Sequence, residues 1–421
     1  MRLSQLQSDI NFQTASLFIF DSLANAVDFI FHFWMGRVLI PADFAILQTL
    51  NSVVLVYVSA SGVFQPVVGR FVAEARGRGQ DAVIPAIFQS FFRAAFWLGL
   101  ALGIVVLLLS NEISQLLNLP NWTIQIIAAL IFFSTLRPIA LGLLQGRERF
   151  LPFGITRFVT AFSRLLLAVI LIHYGFALAG AVISLPFGWL VGLLSAFLFI
   201  GKSKWIKSSP SPKGLLREGW KLSFYALLAY FAFMSLTSID LIWVNRTLSG
   251  ELAGSYASLV LLRRIIALLP GVAVVVMFPR IAKTLAEGRL PDHLLTQTAA
   301  IILAVSGLLT LFYFMFGEQL ILLIFGRAYR TASSILGWMG FAMIGVSLSS
   351  IWLNFYLAQK PRDFVIIIGI SVALEWFLLN LFSPSMQNAV LAFGITGWLL
   401  TVSGLLLYLF KSRPALIKTY A

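Results

Sequence analysis

The chain has 421 residues, of which 60% are hydrophobic, 14% aromatic and 11% charged, against about 45–50% apolar and about 25% charged in an average soluble domain. This excludes a soluble fold and, at about 20 apolar residues per membrane helix, leaves room for roughly a dozen spans. Cysteine is absent, which removes disulfides, iron–sulfur clusters, thiolate zinc and cysteine nucleophiles, and the net charge of +14 reads first as basic loops facing anionic lipid, with nucleic acid excluded as a partner.

A polar lead from Met1 to Asn11 runs into an apolar stretch that reaches Leu39 without a small-residue cleavage site, so it reads as a first span, near 12–39, and not as a signal peptide. Hydropathy places further spans near 44–69, 84–109, 122–145, 152–173 and 177–200, and then near 220–248, 252–279, 293–316, 332–358, 364–383 and 388–410. Pro66, Pro138, Pro186 and Pro270 interrupt several of them, which membrane helices tolerate where neighbours satisfy the freed backbone. Between the sixth and seventh spans lies the basic, Ser- and Pro-rich stretch KSKWIKSSPSPKG, the composition of a solvated linker. The expected organisation is an N-terminal six-helix lobe over 1–201, a cytoplasmic linker over 202–219 and a C-terminal six-helix lobe over 220–421.

With the N-terminus inside, the inner loops and tails hold twenty Lys and Arg, whereas the outer loops hold Arg37, Arg246, Arg327 and Arg330. The asymmetry predicts that both termini are cytoplasmic. The two halves also repeat. The stretch from Arg37 matches that from Arg246, Arg70 matches Arg280, Glu112 matches Glu318, and Gln145 to Phe150 matches Gln359 to Phe364. With an even number of spans per half, such a repeat is parallel, related by an axis along the membrane normal.

Ten charges fall within the expected spans, where each is expensive and a functional candidate. In the first span Asp21, Asn25, Asp28 and His32 are spaced 4, 3 and 4 apart, which puts them on one helix face and suits proton or Na⁺ binding or a cavity wall. Asp240 holds the matching place in the seventh span, and Glu375 sits within the eleventh. Six arginines, Arg93, Arg137, Arg157, Arg164, Arg263 and Arg264, and no lysine occupy the span interiors. The guanidinium fork fits phosphate oxygens bidentately, so the surplus points to an anionic, phosphate-bearing cargo. The bland alternatives are helix-bridging hydrogen bonds, ion pairs and snorkelling. No P-loop, HExxH or nucleophile elbow is present, and the expectation is a chain that is not an enzyme and carries no cofactor beyond a coupling H⁺ or Na⁺.

Gly36-Arg37-Val-Leu-Ile-Pro-Ala-Asp-Phe44 resembles an L-G-P-x-x-F-G turn, with Ala45 in place of its last glycine, and Arg70-Phe-Val-Ala-Glu74 resembles an R-x-x-A-E helix end. Glu318-Gln-Leu-Ile-Leu-Leu-Ile-Phe-Gly326-Arg-Ala-Tyr329 is similar to a short amphipathic segment after a ninth span. With twelve spans and the half-chain repeat, these motifs make the chain resemble the polysaccharide transporters, or Wzx-type O-antigen flippases, of the MATE-like multidrug/oligosaccharidyl-lipid/polysaccharide (MOP) superfamily.

The resemblance implies an all-α polytopic fold of two parallel six-helix lobes arranged as a V, in a prokaryotic inner membrane. It implies that the chain moves polyprenyl-diphosphate-linked oligosaccharide from the cytoplasmic to the outer leaflet by alternating access, as a monomer. Lipid-linked oligosaccharide, membrane lipids, a polysaccharide polymerase and glycosyltransferases are the implied partners. Carried over by position, diphosphate contact falls to Arg263 or Arg264, with Arg37 and Arg70 near the ends of the path. Asp21 or Asp28 resembles the cation-coupling carboxylate of the superfamily's drug exporters. Two other readings stand beside it: a cation-coupled exporter of drugs or metabolites, and a membrane enzyme of glycan assembly, against which the short outer loops argue.

Overall fold

Backbone groups inside a bilayer have no water to bond, so a spanning chain must satisfy them internally, and every regular element among the described residues is helical. The computed structural model describes residues 2–201, 214–359 and 361–414. Residues 202–213 of the expected linker, together with Lys360 and Lys418 of the charge count, lie outside them.

The helices are α1 (Arg2–Val38), α2 (Pro41–Gly62), α3 (Phe64–Gly77), α4 (Ile84–Leu108), α5 (Ser110–Leu117), α6 (Asn121–Gly146), α7 (Phe150–His173) and α8 (Ala177–Ile200). They continue as α9 (Leu215–Leu236), α10 (Ile239–Thr247), α11 (Gly250–Ala286), α12 (Asp292–Ile324), α13 (Ser333–Ala358), α14 (Pro361–Leu381) and α15 (Met386–Leu407). Among the described residues ten stretches are long and apolar enough to cross a membrane, or eleven when the bent pair α9 and α10 is one span. The chain is a multi-pass membrane protein. The expected eighth span corresponds to α11, which is 37 residues long and carries Arg263 and Arg264.

The prolines act unequally. Pro66 leaves the carbonyl of Gly62 without its helical donor, and the expected second span breaks there into α2 and α3. Pro138 and Pro186 lie inside α6 and α8 without ending them. The seventh span instead bends by 41° between Leu236 and Ile239, a stretch that contains no proline.

The residues group into two compact units, Met1–Met35 with Tyr57–Leu227, and Gly36–Val56 with Leu228–Ala421. Set beside the expected bounds, 36–56 of the N-terminal lobe groups with the second unit, and 220–227 of the C-terminal lobe groups with the first. The first departure has a packing cause. The ring of Phe325 lies where a Cβ on Gly36 would come within 2.5 Å of it, Phe44 packs tilted against Phe325 and edge-on to Tyr329 at 5.9 and 5.8 Å, and Arg37 donates to the carbonyls of Leu322 and Leu323. Two motifs separated by nearly 300 residues in sequence thus form one aromatic cluster. In the first unit, residues flanking the Arg70–Glu74 motif meet the Gln145–Phe150 motif, Gln65 donating to Gln145 at 3.0 Å and Arg76 pairing with Glu148 at 3.0 Å.

The core of the first unit is built from Val68, Val72, Phe88, Leu136, Ile139, Leu144 and Ala196. In the second, Leu236, Leu259, Leu262, Ile266, Leu336, Met339 and Phe393 are fully buried. The repeat is visible in local geometry as well. The short amphipathic α5 ends on Asn118 at φ 51, while α12 bends at Phe316 and its last turns end before Gly326 at φ 99.

Candidate functional site

The four polar residues of α1 do share a face, and the structure supplies their partners. Asp21 pairs with Arg157, and Asp28 with Arg164. Both acids are seven residues apart on α1 and both arginines seven apart on α7, which makes a two-rung ladder between helices that run parallel. Asn25 lies half-buried between the rungs, and His32 is buried with its ring edge-on to Phe31 at 5.1 Å. Arg164 also stacks on Phe31, its guanidinium carbon 4.3 Å from the ring centre, a cation–π contact that strengthens when water is excluded.

Beside this ladder is Arg137 of α6, only 8% exposed. Its guanidinium lies 4.7 Å over the ring of Trp189 of α8, and among the described residues it makes no hydrogen bond or ion pair, its Nε being buried and unbonded. The Nε of Arg164 is unbonded too. Gly192 makes the room: a Cβ there would lie 2.0 Å from the hydroxyl of Thr160 and 3.4 Å from Nε of Arg137. Counting Arg137, Arg157 and Arg164 against Asp21 and Asp28, the first unit's cluster carries a net single positive charge.

The second unit holds a tighter cluster. Arg263 of α11 donates to both carboxylate oxygens of Asp240, the longer contact being 2.9 Å, and to the carbonyl of Thr237 at 2.7 Å, where the bend between α9 and α10 frees it. Tyr256 donates to Asp240 at 2.6 Å, and the guanidinium lies 4.1 Å over the ring of Phe393. Arg263 is 2% exposed and Asp240 fully buried. Glu375 of α14 is also fully buried, within electrostatic reach of Asp240 and Arg263, and neither of its oxygens has a hydrogen-bond partner. Asp240, Glu375 and Arg263 together carry a net single negative charge when ionised.

The remaining sequence candidates take other places. Arg264 is half-buried next to Arg263 on α11. Arg37 caps the C-terminal carbonyls of α12, Arg70 pairs with Glu74 on the exposed side of α3, and Arg93 lies exposed on α4. The aromatic partners Phe31, Trp189 and Phe393, and the hydroxyl of Tyr256, escape sequence reasoning, because no periodicity says which of many aromatics lies beneath a cation. The ladder did have a signal in the equal spacing of its acids and its arginines.

A family model described as "Polysaccharide biosynthesis protein" matches residues 13–285, which include the ladder, Arg137 and the Asp240–Arg263 pair. The chain belongs to this family. No curated protein matches it. Its fold is that of the MOP superfamily transporters. An inward-facing multidrug resistance MATE family transporter of that superfamily aligns with a TM-score of 0.81 at 13% identity over 95% of this chain and 96% of the other. The lipid II flippase MurJ, in an inward closed conformation, aligns at 0.70 and 16% identity over 93% and 87%. A MOP superfamily transporter from Pyrococcus furiosus, described as having a binding pocket of reverse polarity that suggests a different function, aligns at 0.57 and 13% identity over 94% and 93%.

Proposed function

We propose that this family member is a membrane flippase that carries a polyprenyl-diphosphate-linked oligosaccharide from the cytoplasmic to the outer leaflet by alternating access, coupled to a proton or Na⁺ gradient, for cell-surface polysaccharide synthesis. The observation that carries the reading is Arg137: among the described residues its buried guanidinium has no hydrogen-bonded anion, the one carboxylate in electrostatic reach being Asp28, which Arg164 already holds. Such a charge is expensive to bury, and a diphosphate is a ligand that matches its charge and fork. Arg157 and Arg164 lie on the neighbouring helix, each balanced by a single carboxylate, so a diphosphate entering the cluster meets net positive charge. Arg263 is a weaker candidate for cargo contact, because Asp240 and the carbonyl of Thr237 already engage both of its terminal nitrogens.

For coupling we assign the carboxylates of both clusters, Asp21, Asp28, Asp240 and Glu375. At Glu375 an ion or proton exchanged with the medium changes the charge beside the Asp240–Arg263 pair. The twenty-to-four basic asymmetry supports cytoplasmic termini in a prokaryotic inner membrane, with the polymerase and glycosyltransferases of the same assembly as partners.

The test is translocation of lipid-linked oligosaccharide in vesicles containing the purified protein, with and without an imposed proton or Na⁺ gradient. Arg137→Gln is expected to lower the rate at least about tenfold, the value of one lost charge-assisted contact, while the protein inserts and unfolds normally. Unchanged flipping by this variant removes the assignment, and gradient-driven efflux of a cationic dye without flipping favours an exporter instead.

A further inference from the structure

On the first unit a groove of about 540 Å³ opens between α4 and the first turn of α9. Its α4 wall is the stripe Ser90, Arg93, Ala94 and Trp97, spaced i, i+3, i+4 and i+7 and so on one helix face. Its other wall is Gly214 to Arg217. The close approach of α9 to α4 is set by Gly219, where a Cβ would lie 2.7 Å from the ring of Phe91 of α4, while Trp220 of α9 stacks on Phe64 of α3 at 6.3 Å.

The groove is lined by two arginines and no acid. Among the described residues neither Arg93 nor Arg217 makes an ion pair or a side-chain hydrogen bond. Glu218, the acid next in sequence, lies within electrostatic reach of Arg70. The first amides of α9, whose earliest helical bond is from Glu218 N–H to the carbonyl of Gly214, add the positive end of a helix to the same wall.

Beyond the arginines the α4 stripe turns wholly apolar: Trp97 is 63% exposed, Ile104 47% and Leu108 75%. This order, a cationic pair, then an indole, then aliphatic side chains along a spanning helix, is the order of a phospholipid from phosphate to acyl chain. A soluble anion has no use for the apolar run, and Arg93, well inside α4, reaches the interface by extending its stem.

We propose that this groove is a binding site for an anionic membrane phospholipid, with the phosphodiester between Arg93 and Arg217 and an acyl chain along Trp97, Ile104 and Leu108. The site holds a resident lipid on the outside of the first unit and is independent of the cargo, so it stands whether or not the flippase reading does.

The test is lipid retention by the full chain. The protein is extracted from nanodiscs of equal phosphatidylglycerol and phosphatidylcholine, and bound lipids are counted by native mass spectrometry. Wild type is expected to keep phosphatidylglycerol over phosphatidylcholine by about tenfold. Arg93→Gln with Arg217→Gln is expected to bring that ratio near one with an unchanged unfolding temperature, and Arg93→Lys with Arg217→Lys to keep most of it. Should the glutamine variant misfold, Leu108→Gln, which leaves the cations in place, is expected to lower the amount of retained phosphatidylglycerol while its preference over phosphatidylcholine persists. Equal retention of the two lipids by wild type, an unchanged ratio in the folded glutamine variant, or loss of the preference in millimolar inorganic phosphate overturns the assignment.

Discussion

The two units place charges at repeat-equivalent positions and resolve them in opposite ways. Asp28 and Asp240 correspond across the repeat, and so do Arg164 and Glu375. In the first unit this yields an acid facing an arginine. In the second, two acids come together, and the arginine is recruited from a different helix, α11, to hold Asp240. The first cluster is open, with Asp28 at 47% and Arg157 at 37% side-chain exposure, and keeps in Arg137 a cation without a hydrogen-bonded anion among the described residues. The second is sealed and keeps an unpaired carboxyl. A closed, bidentate pair with a tyrosine and a carbonyl around it is built to persist, whereas an open ladder beside an unmatched guanidinium is built to exchange partners.

The sharpest way to break this contrast is Asp240→Asn. It strands Arg263 in a fully buried site, and removing one member of a buried pair costs about 3–5 kcal/mol, which thermal unfolding in detergent reads directly. The same change in the open ladder, Asp28→Asn, is expected to cost about 1–2 kcal/mol, and an equal or larger loss there would erase the distinction between sealed and open. Gly192→Val drives a side chain into Thr160 and is expected to destabilise by about 1–3 kcal/mol, with a loss of flipping that follows the displacement of Arg137. Arg37→Ala, which only uncaps α12, should lower stability by about 1 kcal/mol or less. Smallest is Glu375→Gln: with no hydrogen bond to lose and a buried charge removed, stability should hold within about 1 kcal/mol, while the response of transport to an imposed ion gradient is lost. A folded Glu375→Gln protein that still follows the gradient assigns coupling to the first unit.

Much of the architecture was legible beforehand because a membrane span is a local property: some twenty apolar residues and their periodicity are read along one segment. The shared face of Asp21, Asn25, Asp28 and His32 follows from helical geometry alone. Pro66 marked a candidate interruption but no more so than Pro138 or Pro186, which leave their helices whole, and the bend at Thr237–Ser238, made without proline or glycine, carried no local signal. The resemblance puts Arg37 near one end of the cargo path, and the contact it makes with the last turns of α12 has no signal along the chain.

By itself, then, the sequence determined that this is a helical multi-pass membrane protein of repeated halves, with arginines and carboxylates embedded in its spans. Only the tertiary structure decided which of those charges neutralise one another. Hydropathy and helical period are set by neighbours within a turn or two, but an ion pair such as Asp21–Arg157 or Asp240–Arg263 depends on which helices pack side by side. In a low-dielectric interior that choice of neighbour separates a structural arginine from one left with a charge to offer a ligand.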